Sequence, residues 1–192
     1  MSRTTTKVSL PSELELPLAF VNTLDVEETR DEFGSAEALR TWLVGRRLLA
    51  ADDRVSRRDL ASAIELRDAL RRIFLAHSGV ALPNEELDAV NQALARIPLD
   101  VQVDADGAPH FEPRGEGVAA VLGRVVCDVT RARTLGTWNR LKLCPAEDCL
   151  WAFFDSSKNR SRRWCSMDVC GNRTKTREYR RRVQSRLHAP AG

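Results

Sequence analysis

Four of the five cysteines fall within 27 residues, in two pairs of equal spacing. Cys144 and Cys149 enclose four residues, Cys165 and Cys170 enclose four more, and fifteen residues separate the pairs. A tetrahedral zinc ion is satisfied by four thiolates, and two ligands from each of two tight turns let a short chain wrap it. Pro145 after the first ligand favours a turn, and Gly171 follows the last. The spacing therefore predicts a structural zinc site built from Cys144, Cys149, Cys165 and Cys170. An iron–sulfur cluster is the other outcome open to four cysteines, but no spacing here matches the ferredoxin runs. Cys127 lies apart from the set and reads as a small buried hydrophobe.

Composition supports metal over disulfides. The opening stretch MSRTTTKVSLPSELELPLAF has no apolar h-region, so it does not read as a secretory signal. An odd cysteine count without such a signal fits a reducing, cytoplasmic setting. No run of 18 apolar residues is present, so no membrane partner is expected. The formal net charge of +3 conceals an asymmetry. Residues 136–192 hold 13 Lys/Arg against 5 Asp/Glu, a net +8, while residues 1–135 hold 17 against 22, a net −5. A basic block beside a zinc pattern points to a polyanion.

Periodicity organises the rest. Residues 14–24 (LELPLAFVNTL) form a short apolar segment, with Pro17 suited to the first turn of a helix, although a strand is also open. Residues 25–34 read as an acidic loop. Ser35 is an N-cap candidate for a helix carrying Leu39, Trp42 and Leu43. Ser56 with Asp59 resembles a capping box at the head of the clearest helix, 55–78. Leu60, Ala63, Ile64, Leu70, Ile73 and Phe74 line its apolar face, with Arg71 and Arg72 off it. A helix from Asn84 to Ile97 follows, with Leu87, Val90 and Leu94 in its stripe. The period then changes to two: Leu99, Val101 and Val103 alternate with polar residues, Asp106-Gly107 signals a turn, and 110–112 return. A long helix over 115–138 carries Val118 to Leu135 as its stripe. The fold class expected is mainly α with a small β-hairpin (α+β). A helical domain at 14–135 precedes a four-cysteine module at 136–188 that ends in a basic helix.

That last helix is expected near 168–184. Arg173, Arg177, Arg180 and Gln184 recur at i, i+4, i+7 and i+11, with Lys175 and Arg181 beside them. A helix fits the major groove of B-DNA, and arginine reads guanine or holds phosphate. Arg160, Arg162 and Arg163 form a second basic patch suited to phosphate contact. Asn172 either reads adenine, or it bonds a cysteine sulfur or caps the helix, and short polar residues at helix starts usually cap. Trp151, Phe153, Phe154 and Trp164 read as a small core around the metal. With few other apolar residues there, chelation is expected to unfold 141–184 first.

The sequence CGNR (Cys170 to Arg173), with WCSMDVC running into it and KTREYRRR after it, resembles the CGNR zinc-finger family. The upstream LAFVNTL (Leu18 to Leu24), followed by the helix around Trp42-Leu43, resembles the ABATE domain that accompanies it. The resemblance covers most of the chain. It implies a bacterial transcription regulator of the kind often called stress-induced, with zinc on the four cysteines and double-stranded DNA as partner. The helical domain would then serve as a dimerisation face or the receiver of a small-molecule effector, and the protein would sit at the nucleoid. RNA or the ribosome is the alternative partner for the same basic surface. An enzyme is not expected: His77, His110 and His188 are isolated, no nucleophile motif or phosphate loop is present, and four cysteines leave zinc no open position.

Overall fold

A computed structural model describes residues 10–187; His188 lies outside them. A single 3-10 turn (Ser12–Leu14) leads into α1 (Glu15–Val21), with Pro17 in its first turn, where a missing N–H costs no helical hydrogen bond. The stretch expected as an acidic loop is instead a tight hairpin, β1 (Leu24–Asp25) with β2 (Arg30–Asp31). It delivers Phe33 into the core, where the ring meets Phe20 at 5.4 Å and Trp42 at 5.5 Å between centroids.

Local capping sets the next two helices. The Ser35 hydroxyl oxygen accepts from the Ala38 N–H at the head of α2 (Ala36–Gly45). Ser56 and Asp59 form a reciprocal capping box on α3 (Arg57–His77). This long helix is the centre of the domain, burying Ala63, Leu66, Leu70 and Phe74. One expectation for it fails. Arg71 is not off the buried face but 7% exposed, because its guanidinium satisfies three backbone carbonyls in the interior. Burial lowers its pKa. Arg67 is buried beside it, donating to Asp31 at 2.6 Å.

On α4 (Asn84–Ala95), Val90 and Ala93 pack against α3, while Leu87 is exposed, contrary to the predicted stripe. The period-two segment does form a hairpin, β3 (Leu99–Val103) with β4 (Pro109–Pro113). The Asp104 carboxylate accepts from the N–H groups of Asp106 and Ala108 in its turn, and Gly107 supplies φ +80. Only the Leu99–Pro113 end is covered. Val101 and Val103, expected to be half-buried, are 66% and 65% exposed, because α5 crosses the hairpin only at that end. There Gly123 lets the helix approach so closely that a Cβ would meet Pro113 at 2.8 Å.

Helix α5 (Gly117–Thr134) is shorter than predicted. It buries Val118, Val121, Leu122, Val125 and Val129 and ends at Gly136 (φ +69), leaving Leu135 exposed. After a 3-10 turn (Trp138–Arg140), β5 (Leu141–Leu143) pairs antiparallel with β6 (Ala152–Phe154). Leu141, Leu143 and Ala152 belong to the main hydrophobic core, and β5 lies on α3. A π-helical turn (Met167–Gly171) then opens α6 (Asn172–Leu187). The fold is thus mainly helical, with three small antiparallel strand pairs rather than one hairpin. No helix among the described residues is long and apolar enough to cross a membrane.

Candidate metal centre and basic helix

The two cysteine pairs meet. Cys144 follows β5, and a tight turn brings Cys149 back before β6, with the Cys149 N–H donating to Ala146 O at 2.8 Å. Leu150 completes that turn in the left-handed region (φ +48). Cys165 precedes the π turn and Cys170 closes it, with the Ser166 hydroxyl oxygen accepting from the Val169 N–H. All four sulfurs lie within 4.8 Å of one another. Cys165 Sγ is 3.5 Å from Cys149 Sγ and 3.6 Å from Cys170 Sγ. Disulfide sulfurs would be about 2 Å apart. Four thiolates around one zinc at ~2.3 Å give edges of about 3.8 Å, which these separations approach.

Electrostatics makes the same point. Hydrogen bonds from Cys149 and Cys165 lower the Cys144 thiol to about 4. The proton-sharing contacts with Cys144 push Cys149 and Cys165 up, and burial pushes Cys170 up. Four thiols this close do not ionise together unless a cation replaces their protons. The donor set, its burial and its spacing fit a tetrahedral metal.

A second polar cluster braces the loop between the pairs. Lys142 Nζ donates to Asp155 at 2.6 Å and to the carbonyls of Arg160 and Arg162. The Asp155 carboxylate also accepts from the Ser157 N–H and hydroxyl and from the Arg162 N–H. Burial raises the Asp155 carboxyl, but the hydrogen bonds from Lys142 and Ser157 outweigh it and hold it below its ordinary value. Arg162, expected to contact phosphate, is committed here: it donates to the carbonyls of Trp164 and Cys165 and lies over the Phe153 ring. Arg160 and Arg163 remain exposed on the loop. Of the predicted aromatic core, Trp151, Phe153 and Trp164 pack on the cysteines, whereas Phe154 packs on the main core.

The predicted DNA face of α6 divides in two. Near its base, Arg173 lies 3.3 Å from Asp148, 3.4 Å from Glu27 and 3.6 Å from Cys170 Sγ. Arg177 reaches Asp148 at 2.8 Å, and that bond holds the Asp148 carboxyl low. The Asn172 side chain donates to Asp168 O. Farther out, every residue from Lys175 to Gln184 is exposed, Arg180 and Arg181 included.

Two family models match the chain. The ABATE model, described as "Putative stress-induced transcription regulator", matches residues 14–137, and the CGNR zinc finger matches residues 140–183. The chain belongs to the ABATE family. Its ABATE segment is followed directly by the CGNR zinc finger that holds the four cysteines. No match was found among curated proteins.

Contacts between the ABATE segment and the finger involve residues that periodicity had not singled out. Asn22, from the LAFVNTL motif, donates to Ala152 O at 2.9 Å and accepts from Ala152 N–H at 2.8 Å, pairing the outer edge of β6. Arg71 joins the carbonyls of Val21 and Leu24 to that of Leu150 in the metal turn. Ser78 donates to Leu143 O, and His77 Nδ1 lies 2.7 Å from Leu141 O. Burial lowers the His77 pKa. A lone Asn in an apolar run and an Arg at a helical i+4 position leave no separate sequence signal. Only the fold brings them to β6 and Leu150.

Proposed function

We propose that the chain is a zinc-dependent, DNA-binding transcriptional regulator. Zinc on Cys144, Cys149, Cys165 and Cys170 is the scaffold of the finger, α6 contacts double-stranded DNA, and the ABATE domain receives a signal or dimerises. The observation that carries this reading is the state of α6. From Lys175 to Gln184 it contributes nothing to any core, yet it carries Lys175, Arg177, Arg180, Arg181 and Arg182 on one rigid base. A helix this polar is not stabilised by burial, and an exposed basic helix anchored at one end suits a groove walled by phosphates.

The contacts divide by exposure and by the partners of Arg162, Arg173 and Arg177. Lys175, Arg180 and Arg181 are the groove and phosphate contacts, and Arg160 and Arg163 are phosphate contacts from the loop. Arg162 and Arg173 are scaffold, since their donors are committed to the finger. Arg177 exchanges Asp148 for phosphate on binding, and Asn172, whose amide donates to Asp168 O, braces the finger rather than reading a base.

In vitro selection from a random duplex pool is the test. Neutralising ~6 phosphates predicts a log–log salt slope of about −5. The triple variant Lys175→Ala, Arg180→Ala, Arg181→Ala should flatten that slope by roughly 2.7, at ~0.9 per lost contact. Failure to select any duplex at low salt would sink the proposal. Tighter binding to an RNA duplex at matched salt would move it to RNA.

A further inference from the structure

The turn leaving α2 and the adjoining face of α5 border an open cavity of about 560 Å³, a volume within the range of small-molecule sites. Gly117, Ala120, Val121 and Arg124 follow at i, i+3, i+4 and i+7 on α5 and all line it. Gly117 and Ala120 leave the room, and Arg124 lines it as well. A second cavity of about 640 Å³ continues along α5 and shares Leu48 and Arg124 with the first.

The opposite wall carries Val44, Leu48 and Arg47. Arg47 sits at the end of α2 with φ +58, its N–H donating to Val44 O at 2.9 Å. Glycine fills this left-handed position with less strain than any L-residue. A strained arginine at the mouth of a cavity points to a use for its guanidinium. Among the described residues, neither the Arg47 nor the Arg124 guanidinium forms a hydrogen bond or an ion pair. Two carboxylates are close. Asp53 lines the cavity but accepts from the Ala50 N–H at 2.9 Å, which ties it to the turn. Asp128, one turn beyond Arg124, lines the second cavity.

We propose that this cavity binds a small organic monoanion, a carboxylate or sulfonate on an apolar body. Arg47 and Arg124 hold the anionic head, while Val44, Leu48 and Val121 cover the body. Two exposed cations beside Val44, Leu48 and Val121 suit that combination: a neutral apolar molecule gains nothing from the guanidiniums, and a bare inorganic anion gains nothing from the apolar side chains. The inference deepens the signal-receiving half of the function proposed above.

The test is calorimetric titration of 1-naphthoate into the full-length, metal-loaded protein without DNA. Saturable one-to-one binding is expected, weakened about tenfold or more by Arg124→Gln and by Arg47→Gly. Arg47→Gly removes the guanidinium while easing the turn, so the fold is retained. Lys158→Gln, on the finger, should leave the affinity unchanged, and 1-naphthalenemethanol, the uncharged counterpart, should bind about tenfold or more weakly. The proposal is overturned by an absence of saturable binding, by indifference to both arginine substitutions, or by equal binding of the alcohol. The α6 triple variant should keep full naphthoate affinity, which separates failure of this site from failure of DNA binding.

Discussion

Chelating the metal is expected to unravel the two cysteine loops and α6 while the helical core and the β5–β6 pair stay folded. Structural zinc in such modules contributes ~10–16 kcal/mol of binding free energy at neutral pH, and in modules of this kind that energy is folding energy. Between Cys144 and α6, the cluster around the metal holds only Ala146, Trp151, Phe153 and Trp164 besides the cysteines. Four neighbouring thiols left without a cation have no comparable replacement. The structure narrows the expected segment, however. Residues 141–143 were expected to unfold with the module, but Leu141 and Leu143 are buried in the main core and β5 lies on α3. Hydrogen exchange after chelation should therefore show protection lost across residues 144–151 and 155–172 and along α6 but kept in α3, α5, β5 and β6. Cys149→Ser should reproduce the pattern. Undiminished protection of the π turn after complete metal removal would show that the metal is not its scaffold.

Asp155→Ala is expected to cost about 3–5 kcal/mol, the range for removing one partner of a buried ion pair. Asp155 has 0% exposure, and its loss would leave the Lys142 ammonium buried with only two carbonyls for company. It would also release the Ser157 and Arg162 amides that shape the loop between the cysteine pairs. Asp155→Asn is the informative companion. It keeps the shape and loses the charge, so a smaller loss than for alanine is expected. Denaturant unfolding of the metal-loaded protein measures both, and a loss below about 1 kcal/mol for alanine would remove the pair from the list of structural necessities. The pH dependence follows from the depressed carboxyl. Its stabilisation is fully present above the ordinary carboxylate pKa, near 4, and is lost as pH falls through the lower folded value. In wild type the loss should appear at acid pH, and in Asp155→Asn this component should be absent.

Much of this was legible in the sequence, for a specific reason at each place. The meeting of the four cysteines was readable because mirrored spacing of two pairs is what wrapping one ion from two tight turns requires. Ser35 and the Ser56–Asp59 box were readable because capping is a local transaction between neighbours three apart. What the sequence hid depends on distant partners. Phe33 lay inside a stretch whose acidity masked one core ring. Arg71 sat at a charged position that only the fold could place among three carbonyls. The β3–β4 alternation was real, but alternation shows which side chains share a face, not what covers them. The α6 arginines showed the same limit. Helical spacing put Arg173 and Arg177 on one face, yet Asp148 and Glu27, from elsewhere in the chain, already occupy the base of that face.

The pairing of Asn22 with the outer edge of β6 bears on how such a protein can be taken apart or recombined. Family models divide the chain between residues 137 and 140, as though a regulator segment had been joined to an interchangeable finger. The physical seam is elsewhere. The strand that leads to the first ligand is core material of the helical segment, and the edge of its partner strand is completed by a side chain 130 residues earlier. A finger transplanted from position 140 onward would leave its inner strand uncovered, and the donor segment would keep an open apolar slot along α3. Exchange of specificity between relatives is therefore expected to work by swapping α6 alone, beyond the metal, and to fail when the cut is made at the boundary of the two families.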